Sequence, residues 1–287
     1  MKNSNQPMMK ERFYPVRHIV LLALAIFWLI PIVWLLLCSF STSNSMSISH
    51  FFPEKLSLIQ YKNLLFKTDA ANQFPRWMLN TFLIAAFNCL ISTFFVLQVA
   101  YAMSKMRFRA RKGLMNIGMI LGLFPGFLSM IAVYFIMKTF NLTNSHIGMI
   151  IVYSASSGMG YLIAKGFFDT IPNSMCEAAK IDGASQNSIF FRIIIPMSKP
   201  IIVYTSISAF LAPWVDFIFA KIMLNSGIAK DWTVALGLYG MLDRSRKNLY
   251  FGQFCAGGVL VSIPISILFV VMQKFYVEGI TSGSAKG

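Results

Sequence analysis

Nowhere does this chain contain the GxxxxGK[ST] spacing that cradles nucleotide phosphates, so hydrolysis of ATP by a loop of that kind is not expected of it. Its three histidines, His18, His50 and His146, stand apart from one another, and Cys38, Cys89, Cys176 and Cys255 form no CxxC pair. Neither a zinc site nor a disulfide framework is indicated, and no residue is assigned a catalytic or metal-binding role. A membrane-embedded enzyme is disfavoured by the same lack of clustered nucleophiles. Charge is scarce too: 12% of residues are charged and only 10 are acidic, where soluble domains carry roughly a quarter charged residues. An internal repeat is also lacking, which speaks against transporters built from inverted repeats.

What remains is apolar. Hydrophobic residues make up 56% of the 287, and the mean hydropathy is +0.64. Apolar segments at 18–40, 79–103, 114–137, 147–168, 200–223 and 254–276 each reach the ~20 residues that cross a hydrocarbon core. The expectation is an all-α integral membrane protein with six transmembrane helices. Net charge is +15, which in a soluble chain would suggest nucleic acid, but the positives fall between the apolar segments and read as membrane orientation instead. With the N-terminus inside, 15 of the 25 Lys and Arg lie on the inner side, five of them in the short loop 104–113. Both termini are therefore expected in the cytoplasm. The first apolar run is longer than a signal-peptide core and has no small residues before Cys38, so it reads as a retained span. Residues 41–77 form an outer segment, Ser-rich at first and partly helical in its second half, and Ser282–Gly287 reads as an unstructured tail.

The segment 165–199 between the fourth and fifth apolar runs is too long and too patterned to be an idle loop. Ser174 and Glu177 have capping-box spacing, which predicts a helix beginning there with the carboxylate near its N-terminus. Ala178, Ala179 and Ala184 favour that helix and keep its surface small, while Gly183 supplies a break. Ser185 then starts a second helix through Ile195 that Pro196 ends, and Pro200 opens the next span. Periodicity alone leaves two readings open: an amphipathic interfacial hairpin with Phe190, Phe191 and Ile193–Ile195 in the headgroups, or a surface for a partner.

The full pattern tips the choice. Glu177-Ala178-Ala179, three residues, Gly183, nine residues, Ile193, then Ile195-Pro196 resembles the signature of inner-membrane permeases of binding-protein-dependent ABC importers. Over residues 18–287 the chain resembles the carbohydrate branch, specifically the smaller permease of maltose/maltodextrin-type systems, with similar stretches at Tyr134, Asn141–Ser145 and Trp214–Phe217. The resemblance implies that the loop 172–196 is a coupling segment docked on a dimer of separate ATP-binding subunits, with Glu177, Ala178, Ala179, Asp182, Gly183, Ile193 and Pro196 at the coupling positions. It also implies a second homologous permease subunit, an extracytoplasmic solute-binding protein, a sugar substrate and surrounding membrane lipid, but no nucleic acid. No cofactor is expected on this chain; ATP and Mg would act through the partner ATPase. The setting implied is a bacterial cytoplasmic membrane. Residues 1–77 would form the cytoplasmic tail, first span and outer segment, and residues 78–287 the permease core with its short cytoplasmic C-terminal tail.

Three residues are candidates for the substrate path: Tyr134, Trp214 and Asp216. Asp216 is the one acid inside an apolar segment, and a carboxylate there costs ~2.5–3.5 kcal/mol on insertion scales, so it must face protein or water. An ion pair with Lys221 is the equal alternative. Trp214 can stack on a sugar ring, yet an aromatic at that depth is more often an interface anchor. Pro125 and Pro264 are expected to kink their helices. Arg107, Arg109 and Arg111 are read as fixing orientation. Two other functions stand beside the importer: an ion-coupled secondary transporter, and an ABC permease for a solute such as glycerol 3-phosphate.

Overall fold

The computed structural model describes residues 14–44, 52–53, 55–156 and 160–284, and among them all regular structure is helical apart from one isolated bridge, Ser41 to Leu56. Two units are distinguished: residues 1–66 with 242–259, and residues 67–241 with 260–287.

The first unit contains α1 (Tyr14–Ser39), α2 (Ile59–Phe66) and, later in the chain, the opening of a long C-terminal helix. Along α1 the described side chains up to Val33 are exposed, Trp28 by 70%. A helix apolar on every side is not a surface helix of a soluble domain; its solvent is lipid or another apolar helix. Its C-terminal end alone is packed, where Cys38 meets Phe251 and Cys255. Beyond it, Ser39 Oγ shares a 2.7 Å hydrogen bond with the Tyr61 hydroxyl, and Gln60 Nε2 donates to the carbonyls of Ser41 and Ser43. These polar ties hold the short α2, the helical second half expected of the outer segment.

The second unit is built around α3 (Phe74–Lys105), against which α6 (His146–Ser156), α7 (Gly160–Asp169) and α11 (Lys199–Val215) pack. Its buried face recurs at helical spacing through Trp77, Thr81, Ala85, Asn88, Ser92, Val96 and Ala100. Residues 157–159, between α6 and α7, lie outside the description. The remaining elements are α4 (Arg111–Gly122), α5 (Gly126–Thr139), α8 (Asn173–Ile181), α9 (Gln186–Ile189), a π turn (Phe190–Ile194), α10 (Ile195–Met197), α12 (Ile218–Met223), a 3₁₀ turn (Ala229–Asp231), α13 (Val234–Met241) and α14 (Lys247–Ser284), whose final part belongs to this unit.

By length and composition three helices can cross a membrane alone, and up to six spans result if each bent helix pair counts as one. The six apolar segments are therefore present, but two differ from the expectation. The third bends by 103° between α4 and α5, where Pro125 is the last of three non-helical positions, so the proline marks a break and not a kink. The fifth does not run from 200 to 223: α11 ends at Val215, Asp216 takes an extended backbone as its C-cap, and α12 restarts two residues later. Pro213 in the last turn of α11 has no N–H to give, which weakens the ladder just before this stop. The tail expectation also changes, since α14 continues through Ser284; residues 285–287 lie outside the description.

Candidate functional site

The patterned loop folds as helix, turn, helix. Its first element, α8, does not use the capping box: the cap position is Pro172, no side chain caps it, and Ser174 is already the second helical residue. Helix entry is set from outside instead, because Lys105 Nζ at the end of α3 donates to the carbonyl of Ile171 (2.6 Å) and to Asn173 Oδ1 (2.9 Å). Glu177 consequently sits in mid-helix, exposed, and not at the N-terminal dipole.

The C-terminal end explains the Glu-Ala-Ala-x3-Gly spacing. Asp182 is the cap and Gly183 follows it at φ +81. The Gly183 N–H donates to the carbonyl of Lys180 (3.0 Å) and the Ala184 N–H to that of Ala179 (2.9 Å). This is the paired Schellman closure, which requires a left-handed residue where Gly183 stands. Ala179 and Ala184, joined by the outer of these two bonds, both pack on the apolar cluster beneath. Ser185 then caps α9 by accepting from the N–H of Ser188 at 3.2 Å, as its position suggested.

Beyond α9 the helix widens into the π turn, where the Ile195 N–H reaches back to the Phe190 carbonyl. Pro196 does not end the helix; it lies at the start of α10, and the break falls at Ser198, whose Oγ donates to the Ile194 carbonyl. A proline lacks the N–H that an ordinary turn would use, and the first positions of a helical segment do not need one. Nor do the aromatics and isoleucines here form a headgroup-facing hairpin. Ile189, Phe190 and Ile194 are buried against Val96, Tyr101 and Phe168, with Ile193 and Ile195 beside them, and Phe191 alone of the set is largely exposed.

A second tie joins this half of the loop to α3: the Tyr101 hydroxyl donates to Gln186 Oε1 at 2.8 Å, and its ring lies 5.0 Å from that of Phe190. The loop thus hangs from the last two turns of α3 at both ends. Its free face presents Glu177, Ala178, Asp182, Gly183 and Ile181, the last 86% exposed. Ile181 escaped the motif reading because it occupies an unconstrained position between Ala179 and Gly183.

The three path candidates are not gathered together. Asp216 is half-buried and accepts from the Tyr153 hydroxyl (2.9 Å) and, through its other oxygen, from the Phe219 N–H (3.0 Å). No ion pair with Lys221 forms among the described residues; that ammonium lies over the rings of Phe217 and Tyr239 instead. The carboxylate is held because α11 stops at it, one oxygen accepts from the first turn of the next helix and the other from Tyr153. Tyr134 lies in the same neighbourhood, packed on the cluster of Met149 and Phe219, with its hydroxyl accepting from Asn225. Trp214 is buried, 4% exposed, against Phe210, so it is neither an interface anchor nor a ring open to a passing solute in this conformation.

A polar seam that the sequence reading did not single out runs between α3, α6 and α11. Asn88 Nδ2 donates to the Ala209 carbonyl at 2.7 Å, while its Oδ1 accepts from Ser92 and Ser154. A cavity of about 250 Å3 opens beside it, lined among others by Asn88, Ser92, Tyr153, Tyr204 and Ser208. The signal was available, since Thr81, Asn88 and Ser92 recur on one face of an otherwise apolar helix.

Comparisons with known proteins agree with this architecture. Residues 97–282 match the family model of the binding-protein-dependent transport system inner membrane component. The chain is 32% identical to the galactooligosaccharides transport system permease protein GanQ of Bacillus subtilis, over 94% of each chain. It is 30% identical to the maltodextrin transport system permease protein MalD of Streptococcus pneumoniae, again over 94% of each. The identity is 28% with the maltose/maltodextrin transport system permease protein MalG of Escherichia coli K12, over 98% of this chain and 99% of that one. The fold is shared with a chain from the crystal structure of a bacterial ABC transporter involved in the import of the acidic polysaccharide alginate, at a TM-score of 0.80 and 22% identity, over 95% of this chain and 100% of that one. The chain therefore belongs to the inner-membrane permeases of binding-protein-dependent ABC importers, subunits that are not themselves the ATPase.

Proposed function

We propose that this permease forms half of the pore of an ATP-driven oligosaccharide importer in a bacterial cytoplasmic membrane, and that residues 172–196 are where a separate ATPase pushes. The substrate class rests on the relatives, whose names specify galactooligosaccharides and maltodextrin. A neutral sugar also suits a seam made of Asn, Ser and Tyr and not of paired charges. Both termini are assigned to the cytoplasm on the charge asymmetry, with a dimer of ATP-binding subunits below, a sister permease alongside and a solute-binding protein outside. Of the three path candidates, Asp216 and Tyr134 are retained on the substrate side, with Trp214 a packing residue behind them.

The observation that carries the coupling assignment is the mounting of the loop. A lever must be stiff and must be attached to what it moves. Here α8 is closed at its C-terminus by Gly183 and anchored to α3 through Lys105 and Tyr101. The far end of α3 is bonded in turn to the 229–234 segment, through Trp77 Nε1 to the Ala229 carbonyl, Asn80 Nδ2 to those of Lys230 and Trp232, and the Val234 N–H to Thr81 Oγ1. Displacing α8 therefore displaces one continuous helix with polar contacts at both ends. That gives ATP binding a way to favour one of two global states, which coupling requires.

Glu177→Lys tests this, because the side chain is exposed and outside the bilayer, so folding should survive. Wild-type membrane levels are expected, with loss of the ATP-binding subunit on purification and of sugar uptake with it. Full uptake of maltodextrin or galactooligosaccharide by the variant would refute the docking role.

A further inference from the structure

Beside the loop lies a polar cavity of about 650 Å3, walled on one side by the coupling loop and on the other by the end of α3 and the start of α4. Its charged lining consists of Lys105, Arg107, Arg111 and Lys180 against Asp169 and Glu177. Asp169 is already engaged by Lys165 and by the hydroxyl of Ser104, and Lys105 by the backbone of Ile171. Arg107 and Arg111 have no hydrogen-bond or ion-pair partner among the described residues, and Arg111 is half-buried. Each guanidinium carries five N–H donors in a planar fork, and an anion in the cavity would supply acceptors that the protein does not.

We infer that this cavity binds the phosphate of an anionic phospholipid headgroup. Arginine pairs phosphate oxygens two at a time, and basic pockets between helices on the cytoplasmic side of a membrane suit such headgroups. The neighbouring surface distinguishes a lipid from a soluble phosphate. From Arg111 the α4 helix continues with Leu114, Ile117, Ile120 and Leu121, exposed by 47%, 55%, 66% and 67%, and no residue of that helix is buried. Acyl chains would lie along this face with the headgroup held at its basic start. The inference rests on the membrane orientation proposed above.

The test uses the purified importer complex in nanodiscs of phosphatidylcholine with graded phosphatidylglycerol, and native mass spectrometry to count retained phosphatidylglycerol. In Arg107→Gln/Arg111→Gln, the phosphatidylglycerol content needed for half-occupancy should rise about thirty-fold, the effect of two charges at about 1 kcal/mol each. Arg107→Lys/Arg111→Lys should recover most of it. Unchanged retention in the Gln variant would overturn the site. So would binding of inorganic phosphate that depends on Arg111 without any phosphatidylglycerol retention, which would mean a soluble anion. Release of the ATP-binding subunit with lipid retention intact would also overturn it, as the mark of a protein-docking cavity. Labelling of Ser174→Cys in intact cells separates a failed site from a failed orientation, since only the latter exposes that cysteine to an impermeant reagent from outside.

Discussion

Gly183 is the position at which one side chain most directly decides whether the loop keeps its shape. Its φ of +81 has no atom within 4 Å of a built Cβ, so a substitution there is opposed by backbone strain and not by crowding. An L-residue in the left-handed region costs about 1–2 kcal/mol, less for Asn and more for a β-branched residue. Gly183→Val is therefore expected to lose most uptake and most retained ATP-binding subunit at normal membrane levels, and Gly183→Asn to keep both. Equal behaviour of the two variants in a pull-down and uptake comparison would show that the turn is not what matters. Asp216 is constrained differently, by what it satisfies. Asp216→Leu leaves the Tyr153 hydroxyl and the Phe219 N–H without their acceptor, a penalty of about 1–3 kcal/mol for each buried group. The apparent unfolding temperature in detergent should fall, and adding Tyr153→Phe should restore part of it, because the unpaired hydroxyl is then gone. A strictly additive further loss would contradict the pairing.

Helices and turns were legible in the sequence to different degrees, for reasons that follow from their chemistry. Gly183 and Ser185 were readable because the left-handed turn and the cap are local, made within five residues. The start of α8 was not, because Lys105 sets it from 68 residues away. Pro196 misled for a related reason: its missing N–H ends a regular helix but is tolerated after a π turn. Hydropathy found the fifth span yet could not place its end, since Ile218–Met223 is as apolar as α11 and the stop depends on Asp216 finding Tyr153. The packing of α3 offers another test. A Cβ on Gly237 of α13 would run into the indole of Trp77, which is fully buried and held through Nε1 by Ala229. Gly237→Ala gains about 1 kcal/mol of helix propensity, but overpacking against a ring that cannot move costs about 1–3 kcal/mol. A lower apparent unfolding temperature is expected, recovered in part by Trp77→Phe, and a more stable single variant would show that α3 and α13 are not in close contact.

For the whole molecule, the division of labour was legible from the lack of a phosphate loop, whereas the anchoring of the loop to α3 was not, and the orientation proposed from charge stands to be measured. Orientation is checked with Phe66→Cys and Ser174→Cys, both at exposed positions. In intact cells an impermeant maleimide should label the first and not the second, and the reverse pattern would invert the topology. The central claim is that ATP-driven movement enters this chain through the free face of α8. Its most direct test is a photo-crosslinking residue, benzoylphenylalanine, placed at Ile181, the large apolar side chain of that face, 86% exposed. Irradiation of the purified complex should give an adduct whose mass is the sum of this permease and one ATP-binding subunit, with yield that changes between nucleotide-free and ATP-bound states, while the same probe at Phe66 gives none. An intact, transport-competent complex with no adduct from position 181 in either state would contradict the account.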